Sequence, residues 1–327
     1  MRKESTDFAE FRRIYTKCTL CPRKCEVDRS RQMGGVCGVG DQLKLARAAL
    51  HYWEEPCISG TNGSGAVFFS GCALHCVFCQ NEEIAQGLAG KEIPDERLTE
   101  IFLELQEKGA NNINLVTPGQ YVPHIIKSVQ SAKDQGLSIP IVYNTGSYES
   151  VDTLRTLEGI VDVYLPDFKY MDAEISRKYS HAEDYASVAK AAIAEMVRQQ
   201  PKAFFYPEKG IENGKEGKYI TEAEDGYLIA KGVIVRQLLL PGLLLDAKKI
   251  IRYLVDTYGD QIYLSLMSQY TPLKQVENYP ELNRKVTDRE YEKYLDYAIS
   301  LGVTHGFIQE GDVAKDSFIP AFDCEGV

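Results

Sequence analysis

From about residue 65 onward, the chain alternates short apolar segments with longer segments of helical periodicity. The run from Gly65 to Ser70 is apolar and rich in β-forming residues, and residues 95–108 carry apolar side chains at helical spacing. Repeated strand–helix units of this kind form a parallel sheet with right-handed crossovers, and roughly six or seven units are present. The sequence therefore predicts an α/β fold, a partial (β/α)6-type parallel barrel, with functional residues at the carboxyl ends of the strands.

Two regions depart from this alternation. Residues 1–64 contain five cysteines, four of them clustered between residues 18 and 37, and few periodic runs, and we interpret them as a cysteine-rich, metal-binding N-terminal extension. The barrel domain is then expected over residues 65–327. Within it, residues 201–232 are rich in Gly, Glu and Lys, which predicts an insertion, either a hairpin or lid or, as the alternative, a disordered polar loop.

Charge and cysteine content narrow the class of protein. Lys and Arg total 37 and Asp and Glu total 47, and this net charge of −10 argues against a nucleic-acid partner. No apolar run is long enough to span a bilayer. The first five residues include three charges and lack the apolar core of a signal peptide. We therefore expect a cytoplasmic protein without a membrane partner. In that compartment the nine cysteines favour metal ligation over disulfides, and Cys57 and Cys324, which stand apart, are interpreted as incidental.

Three cysteines follow directly after the first strand of the alternating region. Cys72, Cys76 and Cys79 have the spacing C-x3-C-x2-C. Three thiolates on one tight loop can hold three irons of a cubane [4Fe–4S] cluster and leave the fourth iron open to another ligand. The alternatives are buried free thiols or a zinc site, for which His75 would be the fourth ligand, although its place inside the same loop would strain a tetrahedron.

This motif resembles the signature of the radical S-adenosylmethionine (SAM) superfamily, in which C-x3-C-x-aromatic-C follows the first strand, and Phe78 occupies the aromatic position. Further segments resemble the PflX group, which is similar to the activating enzymes of pyruvate formate-lyase. These segments are Glu54-Glu55-Pro56, Gly63-Ser64-Gly65, Gly71-Cys72, Cys79-Gln80-Asn81, Asp167-Phe168-Lys169-Tyr170 and Ser268-Gln269-Tyr270-Thr271-Pro272.

The resemblance implies a specific chemistry. SAM would chelate the open iron, and one electron would cleave it to methionine and a 5′-deoxyadenosyl radical that abstracts hydrogen from a substrate. A one-electron donor of the flavodoxin or ferredoxin type is implied as a partner. The leading hypothesis is an activase whose substrate is a glycine of a partner glycyl radical enzyme. The alternatives are a radical SAM enzyme acting on a small molecule or another protein side chain, and a non-catalytic metal-binding or redox-sensing protein.

The resemblance also suggests SAM contacts at the ends of the second and third strands. Gly119 and Gln120 stand where the superfamily often has a Gly-Gly-Glu segment that contacts the methionine amino group. Gln120 is neutral where the family has an acid, but its amide oxygen is still a hydrogen-bond acceptor. Asn144 and Thr145 match positions beside the SAM carboxylate. The alternative for the first pair is an ordinary turn between strand and helix.

Later strand ends supply the remaining candidates. Asp167 and Lys169 also match positions near the SAM carboxylate, where a monovalent cation is a further expectation; a helix-capping role is the alternative for Asp167. Arg236 lies in an apolar run, where an unpaired charge would be costly, so we expect a carboxylate partner, either that of SAM or an internal Asp or Glu. Gln269 and Tyr270 are expected on the adenosine side, or simply as barrel lining.

A second group of cysteines lies in the N-terminal extension. Cys18, Cys21, Cys25 and Cys37 are spaced C-x2-C-x3-C-x11-C among several turn-forming residues. Four thiolates suit structural zinc or a second iron–sulfur cluster equally well by ligand type, and free thiols are the alternative. The sequence therefore predicts a second metal centre without identifying the metal.

Overall fold

The computed structural model describes residues 13–31, 34–208, 219–309 and 320–327, and a ten-stranded sheet runs through this part of the chain. The strands are β1 Leu43–His51, β2 Ser64–Phe69, β3 Lys91–Ile93, β4 Ile113–Val116, β5 Ile141–Thr145, β6 Val163–Pro166, β7 Phe204–Pro207, β8 Tyr227–Leu238, β9 Tyr263–Met267 and β10 Gly306–Gln309.

Seven of these strands are parallel, in the spatial order β2-β4-β5-β6-β8-β9-β10. Every residue of β2, β4, β5 and β6 is buried, which suits parallel strands covered on both faces. In the described part of the chain, β3 and β10 are the outer strands and do not pair with each other, so the sheet is open. The predicted α/β fold with a partial parallel barrel is confirmed.

Helices connect the parallel strands and cover the sheet. They are α1 Pro56–Ser59, α2 Glu82–Ala85, α3 Asp95–Glu107, α4 Val122–Asp134, α5 Val151–Arg155, α6 Ala173–Ser180, α7 Tyr185–Gln199, α8 Leu244–Tyr258 and α9 Asp288–Ser300. The apolar stripe expected in residues 95–108 is buried, with Leu98, Phe102 and Leu105 in the core. The helix α9 begins with a capping box in which the side chains of Thr287 and Glu290 bond each other's backbone N–H, as the sequence predicts.

Two antiparallel strands extend the sheet at one edge and were not expected. β1 pairs with β2, and β3 pairs with β1. The alternation of buried Leu43 and Leu45 with partly exposed Lys44 is a short period-2 signal that could have identified β1. β1 thus joins part of the N-terminal region to the same sheet as the parallel strands.

The described parts of residues 201–232 lie at the amino ends of the parallel strands. β7 pairs antiparallel with the first residues of β8, before β8 reaches its parallel partner β6 at Gly232. The carboxylate of Glu208 accepts hydrogen bonds from the backbone N–H and hydroxyl of Thr61, which precedes β2. These parts therefore form a hairpin, one of the predicted forms, and do not cover the carboxyl ends of the strands as a lid would; residues 209–218 lie outside the described residues.

A buried ion pair joins the first two long helices to the N-terminal region. His124 Nδ1 lies 2.5 Å from Asp95 Oδ1, and its Nε2 lies 2.7 Å from the carbonyl oxygen of Asp41. Lys127 Nζ donates to the other oxygen of Asp95 at 2.8 Å. Burial alone would raise the pKa of Asp95, but the bonds from His124 and Lys127 outweigh it and lower that pKa to about 2.

We expect Asp95→Asn to lower the free energy of unfolding by about 2 kcal/mol at pH 7. Because the folded-state pKa of Asp95 lies below its unfolded value, its contribution is complete above about pH 4 and is lost as the pH falls towards 2. The control Glu96→Gln removes an exposed carboxylate that pairs with the same lysine and should cost less than about 1 kcal/mol. Denaturant unfolding at pH 7 checks this, and equal stabilities of the two variants would contradict it.

Candidate active site

The carboxyl ends of six parallel strands open into one cleft, which we call the strand-end cleft. Candidate residues that line it come from the ends of β2, β5, β6, β8 and β9. They are Cys72, Cys76, Phe78, Cys79, Asn144, Thr145, Asp167, Lys169, Arg236 and Gln269. This is the position at which α/β sheets of this kind place their ligands.

The three cysteines of the C-x3-C-x2-C motif, hereafter the trio, lie on the loop that follows β2. Gly71, with φ +91°, turns the chain into this loop in a conformation that favours glycine. The backbone N–H of Leu74 donates to Cys72 Sγ at 3.4 Å, and the hydroxyl of Ser180 donates to Cys76 Sγ at 3.0 Å. The loop therefore presents all three thiols to the strand-end cleft, and α6 contributes a hydrogen bond to one of them.

The environment of the trio disfavours thiolates unless a cation is bound. Burial raises the pKa of Cys72 to about 11 and that of Cys79 to about 12, and the neighbouring thiols add to both shifts. Among the described residues, no three potential ligands lie close enough to hold a single metal ion. Three cysteine thiolates are the ligand set that holds three irons of a cubane cluster, and its positive charge would stabilise them as thiolates.

Aromatic side chains form one wall beside the trio. The ring of Phe78 packs edge-on against Tyr170 at 6.4 Å and against Tyr270 at 6.2 Å between centroids. Tyr270 itself is buried, and its hydroxyl donates to the carbonyl of Leu282 at 2.9 Å. Gln269 lines the strand-end cleft directly, whereas Tyr270 supports it from behind Phe78.

Arg236 is the centre of a charged network on the floor of the strand-end cleft. Its Nε donates to Asp167 Oδ1 at 2.7 Å, its Nη1 to Glu54 Oε2 at 3.0 Å and its Nη2 to Asn144 Oδ1 at 2.5 Å. The side chain is only 13% exposed. Of the two carboxylate partners that the sequence leaves open for Arg236, the structure contains the internal one, and its part in SAM binding remains a prediction.

Lys169 is the second cation of this network. Its ammonium lies 2.6 Å from Asp167 Oδ2, so one carboxylate is shared between Lys169 and Arg236. Burial acts to raise the pKa of Asp167, but the two cations outweigh it and hold that pKa below its usual value. Asp167 is therefore ionised in the neutral pH range, and Lys169 stays protonated beside the trio.

Two acidic residues from the segment between β1 and β2 complete the floor of the strand-end cleft. In the sequence they stood out only as part of a segment that resembles the PflX group. Glu54 bonds Arg236 and also accepts from the amide of Asn114 at 3.0 Å. Glu55 is 1% exposed, and neither of its carboxylate oxygens has a hydrogen-bond partner among the described residues. Burial raises its pKa. Two consecutive acids before a proline were the available signal, but their meeting with β8 depends on the tertiary structure.

Gly119 and Gln120 lie beside a different cavity from the other candidates. The Gln120 amide donates to the carbonyls of Ser70, Gly71 and Thr117 at 2.8–3.0 Å, so it braces the chain that leads into the trio loop. Gly119 makes room for a carboxylate, because a Cβ there would lie 2.7 Å from Glu149 Oε2. Neither residue lines the strand-end cleft, and their contact with SAM remains a prediction.

The four N-terminal cysteines, hereafter the quartet, line the cavity that contains Gly119 and Gln120. Cys18 and Cys37 are buried, and Cys21 and Cys25 are partly exposed. Burial raises the pKa of Cys21 to about 12, and nearby Cys37 and Cys18 contribute to the shift. All four thiols therefore line one cavity, but no three of them stand close enough together in the described structure to hold a metal ion, and the second metal centre remains a prediction.

Comparison with known proteins identifies the region around the trio. Residues 66–202 match the model of the Radical SAM superfamily. The match includes the trio and ends before β8, and the quartet lies outside it. The uncharacterized protein MJ0674 of Methanocaldococcus jannaschii is 27% identical over 292 residues, which cover 87% of this chain and 75% of that protein.

Solved structures share a lower sequence identity with this chain. Methylornithine synthase (PylB) is 13% identical, with 97% of this chain and 76% of that chain covered at a TM-score of 0.48. Streptococcus suis SuiB, solved with its precursor peptide SuiA, is 12% identical, with 73% of this chain and 46% of SuiB covered at a TM-score of 0.45. The matched region thus spans about half the length of SuiB, and at these scores the likenesses carry no argument about substrate.

Proposed function

Since residues 66–202 form a domain of the radical SAM superfamily, we propose that this protein is a radical SAM enzyme of the activase type, which abstracts hydrogen from a glycine of a partner protein. The observation that carries the enzymatic proposal is the trio, which presents three thiols on one loop above a charged floor. The activase part depends on the motifs that resemble the PflX group.

The residues present fit the cofactors of this chemistry. Cys72, Cys76 and Cys79 would hold a [4Fe–4S] cluster, and the strand-end cleft offers room and polar groups for SAM. Bound there, the two cofactors would supply one-electron reductive cleavage of SAM and the 5′-deoxyadenosyl radical that takes hydrogen from the substrate.

The protein's own residues bind and orient. Lys169 lies beside the trio and presents an ammonium that suits the carboxylate of SAM. Arg236 holds Asp167 and Asn144 at fixed positions on the floor, which keeps these two polar side chains available to the other polar groups of SAM. The aromatic wall of Phe78, Tyr170 and Tyr270 reduces the access of water to the trio.

Two further features bear on the proposal. Among the described residues, no helix has both the length and the apolar character needed to cross a bilayer. The described parts of residues 201–232 lie away from the strand-end cleft, which is open to solvent within the part of the chain that the structure describes. An open cleft is compatible with a polypeptide segment as substrate.

We expect the anaerobically reconstituted and reduced protein to convert SAM to 5′-deoxyadenosine and methionine, and to produce a glycyl radical doublet in a glycyl radical enzyme from the same source. Chromatography measures the first product pair, and electron paramagnetic resonance measures the doublet. Samples without SAM or without reductant are the controls. Cleavage without any doublet, together with turnover of a small metabolite, would replace the activase by a small-molecule enzyme. Absence of cleavage would indicate a non-catalytic metal protein.

A further inference from the structure

The quartet and the trio are parts of one packed assembly, although they are separated by dozens of residues in sequence. The cavity that the quartet lines is also lined by Cys72, Ala73 and Leu74 of the trio loop. Cys72 lines this cavity and the strand-end cleft as well. Leu74, Thr117, Thr145 and Gly146 also line both, so the two sites share a wall.

Three contacts connect residues beside the quartet ligands to residues beside the trio ligands. Arg23 Nε donates to the carbonyl of Ala73 at 2.9 Å, and its Nη2 donates to the carbonyl of Ser180, whose hydroxyl bonds Cys76. His75 Nε2 lies 2.5 Å from the carbonyl oxygen of Val36.

A fourth contact is a backbone approach that requires glycine. A Cβ on Gly71 would lie 2.7 Å from the carbonyl oxygen of Cys37, so the residue before Cys72 packs directly on a quartet cysteine. The two loops therefore keep a fixed relative position.

The quartet has the ligand set of an iron–sulfur cluster. All four thiols line one cavity, and four thiolates are the usual protein ligands of a [4Fe–4S] cluster. Space is kept for Cys25 by Gly35, where a Cβ would lie 2.5 Å from Cys25 Sγ. Structural zinc can use the same four ligands, so zinc is the outcome against which the proposal is tested.

A buried arginine supplies the positive charge that a thiolate cluster needs. Arg29 is 1% exposed, and its Nη1 lies 3.7 Å from Cys18 Sγ and donates to the carbonyl of Gln120 at 2.9 Å. The rings of Tyr15 and Tyr121 flank the guanidinium at 4.7 and 5.8 Å. A cation that donates to a ligand sulfur stabilises the reduced, more negative cluster and raises its reduction potential.

From these observations we propose that the quartet holds an iron–sulfur cluster that passes electrons to the trio site. The proposal rests on the proposed function of the trio and gives the quartet a role in it. A protein donor of the flavodoxin or ferredoxin type reduces the quartet cluster by one electron. That electron then reduces the trio site and reoxidises the quartet cluster, and no atom or proton is transferred between the two.

The test compares anaerobically reconstituted holoprotein with Cys25→Ala, Cys76→Ala and, as matched control, Cys57→Ala, which removes a buried cysteine outside both sites. We expect Cys76→Ala to retain a paramagnetic iron–sulfur signal from the quartet and to contain little zinc. Cys25→Ala should lose the iron and sulfide of one cluster. It should still cleave SAM with dithionite, which can reach Cys76 and Cys79 through a separate surface cavity, but lose most cleavage with a reduced flavodoxin.

A second variant covers the possibility that Cys25→Ala does not fold. In the Cys76→Ala background, Arg29→Lys keeps the charge but alters the hydrogen bond to Cys18, and we expect a lower midpoint potential of the quartet signal. Stoichiometric zinc in the quartet, an unchanged potential, or equal loss of cleavage with both reductants would overturn the relay. A quartet signal in a wild-type protein that cleaves no SAM with either reductant would instead contradict the function proposed for the trio.

Discussion

Replacement of Cys76 by alanine is expected to abolish SAM cleavage and to remove the iron bound at the trio. Three thiolates are the minimum that can hold three irons of a cubane cluster, so the loss of one leaves an iron without its protein ligand. The same result is expected for Cys72→Ala and Cys79→Ala. Iron and sulfide analysis of anaerobic protein, together with quantification of 5′-deoxyadenosine, measures the effect.

The matched control for this prediction is again Cys57→Ala. Cys57 is 4% exposed and packs in an apolar cluster away from the strand-end cleft, so its removal creates a comparable small cavity without touching a ligand. The control should retain its iron and most of its activity. If a trio variant kept full cleavage, the assignment of the cluster to these cysteines would be wrong.

Replacement of Arg236 by alanine is expected to lower the free energy of unfolding by about 3 kcal/mol, because it leaves the buried carboxylate of Glu54 without a cation and that of Asp167 with Lys169 alone. The sequence could only anticipate a carboxylate partner of unknown origin. The structure shows all three donor nitrogens of the guanidinium bound within the protein. Denaturant unfolding of the anaerobic protein measures the loss.

Two further variants give this prediction its controls. Arg252→Ala removes an arginine that is 52% exposed and whose ion pair with Asp256 is long, at 4.0 Å. Its loss should lower the free energy of unfolding by less than about 1 kcal/mol. Arg236→Lys keeps the charge but cannot reach all three partners, so an intermediate loss is expected. Equal stability of Arg236→Ala and Arg252→Ala would contradict the prediction. SAM affinity, measured where each variant is folded, separates a ligand contact from a purely structural role.

Much of the fold follows from local patterns. The buried stripe of α3 and the capping box of α9 each depend on residues only three or four positions apart, so helical periodicity and capping residues identify them. The antiparallel edge of β1 and β3 was missed, because three-residue β3 is too short to show a period. For residues 201–232 the sequence predicted a hairpin or lid, and the described parts form a hairpin at the amino end of β8, a position that the strand pairing sets.

The sequence by itself determined the alternation that forms the parallel sheet and the eight-residue loop that carries the trio. Both are local, since helical period and ligand spacing are properties of neighbouring residues. Only the tertiary structure decided that Arg236 meets Asp167, 69 positions away, and Glu54, 182 positions away. It also decided that the quartet packs on the trio loop. Such contacts depend on strand order and on the packing of loops at one edge of the sheet, which no short stretch of sequence records.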